Sequence, residues 1–382
     1  MADLTEKLKA NLLIALERVE HSILKTKLKV KDASQAFDPI NIMPYHGFGN
    51  PNYVFVKGRV LEDEKVKQPH KGDGILHHLK DTYKRYESDE IPGIKIKASF
   101  AGQEVETETD EEGYFTIEFK SDTPIDFSTA GNKVKLQLLG HKTDKDRLEA
   151  EANVFAPGKD VEFGIISDID DTVLVSDIKH FLGRLKLMLM KNAVERSPFP
   201  GVAGLLRALC KGSDAKGNNP LFFVSGSEWN LYDLLISFFR SHDIPEGPLL
   251  LRDKGIGQGS LKKHLIAYKL DQIRHILNTF PDLKFICIGD SGEHDPEIYE
   301  KVVQEFPGRI LGIYIRDVSA EERDKEVKSI AARLKKQHVE MVLAEETLSV
   351  AKHAAKMGWI NQNQLEDVRK ACEADKQAKQ TD

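Results

Sequence analysis

The sequence predicts an α/β protein: a domain built on an open, mostly parallel sheet, preceded by an all-β sandwich domain and an N-terminal helix. Three observations predict it. Short apolar runs at 163–166, 221–224 and 283–288 end abruptly in acids or Gly/Ser loops, with helical stretches between them. Such runs are buried parallel strands that deliver polar residues to the carboxyl edge of a sheet. Upstream, between 53 and 138, apolar and polar residues alternate at period two among Gly, Pro and Asp turns, as half-buried antiparallel strands do. Before that, Leu4, Leu8, Leu12, Leu16, Val19 and Ile23 recur at helical spacing, which makes residues 3–30 an amphipathic helix.

Taken in order, residues 1–44 are expected to form this helix and a linker; its even charge mix favours packing on the next domain over lying on a membrane. Residues 45–160 form the sandwich, with strands at 53–56, 94–97, 114–119 and 134–138. A helix at 74–86 interrupts it and carries His77 and His78. Adjacent helical residues point about 100° apart, so these two are read as surface residues and not as joint metal ligands. The stretch Thr109-Asp110-Glu111-Glu112-Gly113-Tyr114-Phe115 puts a polar turn and a glycine free to take positive φ ahead of an aromatic strand. It resembles the turn-to-strand signature of transthyretin-like and carboxypeptidase-regulatory-like sandwiches, which implies an accessory domain that binds or orients.

The sheet-and-helix domain is expected over 161–362, and the residues from 363 to 382 are expected to be a polar, fraying tail. Its first strand runs into Asp168, Asp170, Asp171 and Thr172, with Ile169 between the first two. Three acids in four residues repel one another and lose solvation at a strand end, a cost that a cation or a reacting group would offset. A solvated acidic turn would also tolerate them. A second acidic strand end, at Asp290, continues as Ser291-Gly292-Glu293-His294-Asp295-Pro296. Side by side in an open α/β sheet, the two would face one crevice. Between them, 221–224 ends in Ser225-Gly226-Ser227, and 248–251 ends in Arg252-Asp253. Residues 178–196 are dense in Leu and Met with basic charges. They read either as a core helix or as an apolar, cationic flap suited to an anionic lipid headgroup.

Asp168, Asp170 and Thr172 fill an Asp-x-Asp-x-Thr pattern. With the strand ends that follow, it resembles the first motif of the haloacid-dehalogenase-like superfamily of phosphohydrolases, implying a three-layer Rossmann-like domain with a mostly parallel sheet. The DIDDT string, Ser197-Pro198-Phe199-Pro200-Gly201, GDSGEHDPEIY at 289–299, the stretch 85–90 and 313–317 are similar to the catalytic domain of the actin-patch-associated phosphatidate phosphatases in their bacterial form, over roughly residues 45–360. The resemblance implies Asp168 as nucleophile and Asp170 as acid and then base. It implies Mg²⁺ held by Asp168, the backbone carbonyl of Asp170, Asp290 and Asp295, the last directly or through water. Ser225 is the implied phosphate-binding hydroxyl, with Ser227 as runner-up. Lys269 is the implied cation in preference to Lys262 or Lys263, although Tyr268 stands where the family more often has His. Thr172 completes the phosphate-binding loop by bonding its backbone. Asp171 has no assigned role. Arg252 would meet a second phosphate or headgroup oxygen, or form a structural ion pair.

Composition narrows the classes further. The 382 residues carry 55 basic and 61 acidic side chains, a formal charge of −6, with 40% apolar content. That supports ordinary cores and about two domains, and gives no pull toward nucleic acid. Cys210, Cys287 and Cys372 form no metal or disulfide spacing, which points to a reducing compartment. With no apolar run of roughly 18 residues and no signal-peptide pattern, the expectation is a cytoplasmic protein with at most peripheral membrane contact. The expected function is a Mg²⁺-dependent phosphatase of a phosphorylated substrate, phosphatidate first. A soluble phosphomonoester and a non-catalytic scaffold are the alternatives. The set Asp168, Asp170, Ser225, Lys269 and Asp290 argues against the scaffold, which has no need to hold like charges together.

Overall fold

The computed structural model describes residues 40–62, 91–140, 148–158, 160–170, 172–173, 199–253, 261–318 and 321–381. The helices expected at 3–30 and 74–86, the stretches 85–90 and 178–196, and Asp171 lie outside the described residues.

The first sheet comprises β1 (Ile40–Pro44), β2 (Gly47–Asn50), β3 (Tyr53–Glu62), β4 (Lys95–Phe100), β5 (Gln103–Glu108), β6 (Tyr114–Lys120), β7 (Lys133–Leu138) and β8 (Glu149–Phe155), with the short helix α1 (Phe127–Ala130) before β7. Alternation is clearest in β7, where Val134, Leu136 and Leu138 are buried and their neighbours exposed, so one strand face meets the core and the other meets water. One finding corrects the sequence reading. β1 precedes residue 45, so this domain starts earlier than expected. The strands follow one hydrogen-bonded path, β1-β3-β2-β8-β7-β4-β5, with β6 on β3. β8 makes the join: Glu149–Asn153 pair antiparallel with β7, whereas Val154 and Phe155 pair parallel with β2. The two halves share one core, in which Val54, Val56 and Val60 of β3 cluster with Ile96 and Phe100 of β4 and Val134 of β7. The turn before β6 matches its sequence signature. Asp110 Oδ1 accepts from the amides of Glu112 at 3.0 Å and Tyr114 at 2.8 Å, and Gly113 sits at φ +77°, where a Cβ would come within 2.7 Å of the Val60 carbonyl.

The second sheet holds β9 (Gly164–Ser167), β10 (Leu221–Glu228), β11 (Leu249–Arg252), β12 (Phe285–Asp290), β13 (Ile310–Arg316) and β14 (Glu340–Ala344). All pair in parallel in the order β11-β10-β9-β12-β13-β14. The chain winds outward from β9 in one direction and then restarts at β12 in the other, so the crevice between the carboxyl ends of β9 and β12 is a topological switch point. Helices cover both faces. On one lie α2 (Val202–Lys211), α3 (Tyr232–Ser241), α7 (Thr347–Lys356) and α8 (Gln362–Thr381). On the other lie α4 (Leu261–Thr279), α5 (Asp295–Glu305) and α6 (Glu321–Lys335). Burial on both sides explains the unbroken apolar strands: Ile165 faces the first helical layer and Ile166 the second.

Residues 362–381 form a helix, not the expected frayed tail. Among its polar residues, Val368 and Cys372 are buried against the core. Gln364 donates to the Ala208 carbonyl of α2 at 3.1 Å, and Asp375 accepts from the Gly201 amide at 2.7 Å. A stripe this narrow carries too little hydropathy to stand out in sequence, yet it suffices once α2 offers a matching face.

The first domain abuts the rim of the crevice. Tyr45 stacks on Trp229, just beyond β10, at 4.9 Å between centroids, and Lys57 pairs with Asp253, just beyond β11, at 2.6 Å. Phe48 of β2 enters the second domain's core beside Phe222 and Phe280.

Candidate active site

Asp168 follows the last residue of β9, and its amide donates to the Ile288 carbonyl of β12 at 2.9 Å. This ties the two strand ends together and brings Asp168 beside the loop that starts at Asp290. Gly289 allows the next approach: a Cβ there would lie 2.4 Å from Asp295 Oδ2, so only glycine lets the first residue of α5 come this close to β12. The side chains of Asp168, Asp170, Asp290 and Asp295 are all buried.

Among the described residues, one cation reaches them from the helical layer that also holds α5. Lys269, on α4 and 4% exposed, donates to Asp168 Oδ1 at 2.7 Å, Asp295 Oδ1 at 2.9 Å and Glu293 Oε2 at 2.9 Å. Its neighbour Tyr268 turns away and donates to the Leu251 carbonyl at 2.5 Å. The side chains of Lys262 and Lys263 lie outside the described residues.

Asp170 is held from the second strand. Oδ2 accepts from Ser225 Oγ at 2.9 Å and Ser227 Oγ at 3.2 Å, and the Ser227 amide donates to Ser225 Oγ at 2.9 Å. Pairing between β10 and β11 is irregular from Val224 to Glu228, and this bulge gathers both hydroxyls on one carboxylate. The Ser225 hydroxyl expected to meet phosphate therefore rests on Asp170. Arg252 adopts the structural alternative: Nε donates to the Gly226 carbonyl at 2.7 Å and Nη2 to Glu228 at 2.6 Å, bracing the same bulge. Thr172 is buried, but its hydroxyl has no partner among the described residues, so the expected loop-fixing bond is not found there.

The charges do not balance. Burial pushes the Asp168 carboxyl well above the usual carboxylate range, against the pull of Lys269. Burial and the Glu293 charge push Asp170 up to about 6, with the Ser225 hydroxyl opposing. Burial and Asp295 push Asp290 up to about 8, and Asp295 is itself raised, chiefly by burial. Burial disfavours the Lys269 ammonium, but Asp168, Asp295 and Glu293 outweigh it and keep the lysine protonated. One ammonium cannot balance four buried carboxylates, and the raised carboxyl pKa values answer that imbalance by favouring the protonated forms.

This environment fits a divalent cation. Asp168 Oδ2, Asp170 Oδ1 and Asp290 Oδ2 are buried without a hydrogen-bond partner among the described residues, and an all-oxygen set suits a hard ion such as Mg²⁺. Carboxylate oxygens of Asp168, Glu293 and Asp295 lie within 4.8 Å of one another, and the Lys269 ammonium donates to all three residues. Asp295, expected as a ligand, has both oxygens engaged, Oδ1 with Lys269 and Oδ2 with the Asp290 amide at 3.2 Å. Its position suits holding the lysine. Glu293 had no role in the sequence reading, although its place between Asp290 and Asp295 in the GDSGEHD string was the available signal.

Comparison with known proteins bears on this constellation. Residues 163–317 match the family model of the phosphatidate phosphatase APP1 catalytic domain. By this likeness the segment is phosphatidate phosphatase-like. The chain is 32% identical over 232 residues to phosphatidate phosphatase APP1 of Saccharomyces cerevisiae, covering 60% of this chain and 37% of that protein. It is 30% identical over 251 residues to an uncharacterized protein of Schizosaccharomyces pombe, covering 64% of this chain and 39% of that one. The chain thus spans less than two fifths of either relative's length. Among solved structures, a carbohydrate acetylesterase from Xanthomonas citri aligns over 78% of this chain and 66% of that chain with a TM-score of 0.26 and 11% identity, a likeness too slight to bear on fold or activity.

Proposed function

We propose that the chain is a Mg²⁺-dependent phosphatase that hydrolyses a phosphomonoester through an aspartyl-phosphate, with phosphatidate as substrate and diacylglycerol as product, acting in the cytoplasm at a membrane surface. The reading includes a haloacid-dehalogenase-like, Rossmann-like architecture, which the 3-2-1-4-5-6 strand order supports. No helix among the described residues is long and apolar enough to cross a membrane, so the proposed lipid contact is peripheral.

The observation that carries the proposal is the state of Asp168 and Asp170. Asp168 has one oxygen fixed by Lys269 and the other without a partner among the described residues, while Asp170, two residues on, is held by two hydroxyls. Asp168 Oδ2 would attack phosphorus as the P–O ester bond breaks, and Asp170 would give its proton to the leaving alkoxide. Water would then attack phosphorus as the P–O bond to Asp168 breaks, losing its proton to Asp170; inorganic phosphate leaves, which restores both groups. Lys269 offsets the charge of Asp168 as it meets an anionic ester. Mg²⁺, held by Asp168 through the oxygen that does not attack, by Asp290 and by the Asp170 backbone carbonyl, would supply further charge neutralisation for that encounter.

Phosphate release from phosphatidate in mixed micelles, with Mg²⁺ or EDTA, compares the intact chain with Asp168→Asn. Metal-dependent release that the variant loses is expected. Mutant-sensitive turnover of an aryl phosphate but not of phosphatidate would keep the phosphatase and discard the lipid. Silence on both substrates would sink the enzyme reading.

A further inference from the structure

The loop after β12 crowds Asp290, Glu293, Asp295 and Glu297 into eight residues, and such a segment tends to spring apart by like-charge repulsion. Lys269 restrains it from the crevice side. From the other side comes Arg323, on the first turn of α6, with a side chain only 18% exposed. Its Nε donates to the Ser291 carbonyl at 3.0 Å and Nη2 to the Glu293 carbonyl at 2.8 Å. The same guanidinium grips Glu297 with both branches, at 2.5 and 2.7 Å, and Glu326 at 2.8 Å. The two carbonyls flank Gly292, the most deformable point of the loop.

What this fork holds matters for the site. The Glu293 amide donates to Asp290 Oδ1 at 2.8 Å, and the Glu293 carboxylate accepts from Lys269. Fixing the Glu293 carbonyl therefore sets the residue that orients both Asp290 and the lysine. We propose that Arg323 is a positioning residue for the cation site, clipping the Asp290–Asp295 loop into the geometry that presents Asp290 to the ion. The proposal rests on the phosphatase reading for the identity of the ion as Mg²⁺. A planar fork is required: lysine could answer the charge of Glu297 but could not span two carbonyls and a carboxylate at once.

A purely architectural role for Arg323, tying α6 to α5, has a built-in control. Arg333, farther along α6, pairs with Glu300 of α5 at 2.6 and 2.8 Å and links the same two helices away from the loop. The experiment measures Mg²⁺ binding by calorimetry and the Mg²⁺ dependence of turnover for the full chain and for Arg323→Met, Arg323→Lys, Arg333→Met and Asp290→Asn. Positions that orient metal ligands typically change affinity 10–100-fold. Arg323→Met is expected to weaken Mg²⁺ binding by roughly that factor, with turnover at saturating Mg²⁺ within a few-fold of wild type. Arg323→Lys should restore little, and Arg333→Met should bind as wild type does. Unchanged Mg²⁺ affinity in folded Arg323→Met overturns the proposal, as does an equal loss in Arg333→Met. If Arg323→Met does not fold, Arg323→Lys decides alone, and wild-type affinity there refutes the fork. Wild-type Mg²⁺ binding that Asp290→Asn abolishes, without turnover of any phosphate ester, would end the phosphatase reading while the calorimetric comparison still tests the clip. No Mg²⁺ binding by the wild type would overturn both.

Discussion

Replacing Lys269 by Met removes the ammonium with little change in side-chain volume, so the effect reads charge compensation and not a cavity. The lysine donates to three carboxylates at 2.7–2.9 Å. Glu293 is 46% exposed, and water screens its share, so the cost falls on Asp168 and Asp295, each 1% exposed. Removing one partner of a buried, hydrogen-bonded ion pair costs about 3–5 kcal/mol, and that range is expected for Lys269→Met at pH 8 in EDTA, measured by urea unfolding. The loss should shrink toward pH 5. Lys269 is charged in folded and unfolded chains throughout this range, since its raised pKa places its own titration above the usual lysine value. The pH dependence arises instead from the carboxyls, already raised by burial, which accept protons as pH falls and then no longer need the ammonium. Turnover should drop by roughly 10²–10³, the usual loss for a preorganised electrostatic group. Stability at pH 8 within about 1 kcal/mol of wild type, a difference too small for loss of a buried pair, would refute the reasoning. So would turnover within tenfold of wild type.

Two further outcomes follow from the same structure. In EDTA, Asp170 and Asp290 keep protons up to about 6 and about 8 in the folded chain, against roughly 4 when unfolded. The folded state then binds more protons between these limits, so stability should fall as pH rises from about 4 to about 8. Saturating Mg²⁺ should flatten that slope, and thermal melts that show no slope in EDTA would contradict it. On α8, Val368→Ala should cost roughly 2 kcal/mol by chemical denaturation, because Val368 is fully buried. Arg369→Ala, whose partners Glu366 and Glu373 lie on the same exposed face, should leave the midpoint unchanged. Equal effects from both would mean that α8 is not docked as described.

Strands that are apolar on both faces announce themselves in the chain. The runs ending at Asp168 and Asp290 were legible as adjacent strand ends because the polar residues appear just where burial stops. Asp168, Asp170, Ser225, Lys269, Asp290 and Asp295 were each named from the sequence, and the fold gathers them at one crevice. Their individual contacts were not legible. That the Ser225 hydroxyl rests on Asp170, and that Asp295 spends both oxygens on Lys269 and the Asp290 amide, depends on distances of a few tenths of an ångström between elements far apart in sequence.

The pattern of hydropathy and acids along the chain determined the class of the second domain and the edge at which its polar residues gather, because burial and charge repulsion act on local sequence. Tertiary structure alone decided the rest. The path of the first sheet turns on β8 exchanging partners between β7 and β2, and the helix at 362–381 exists because α2 offers a face to a thin apolar stripe. Arg323 reaches the acidic loop only because α6 packs beside α5, twenty-six residues beyond the Glu297 it grips. Such contacts are set by which surfaces meet after the strands have ordered, a choice made by long-range packing that no local run of residues encodes.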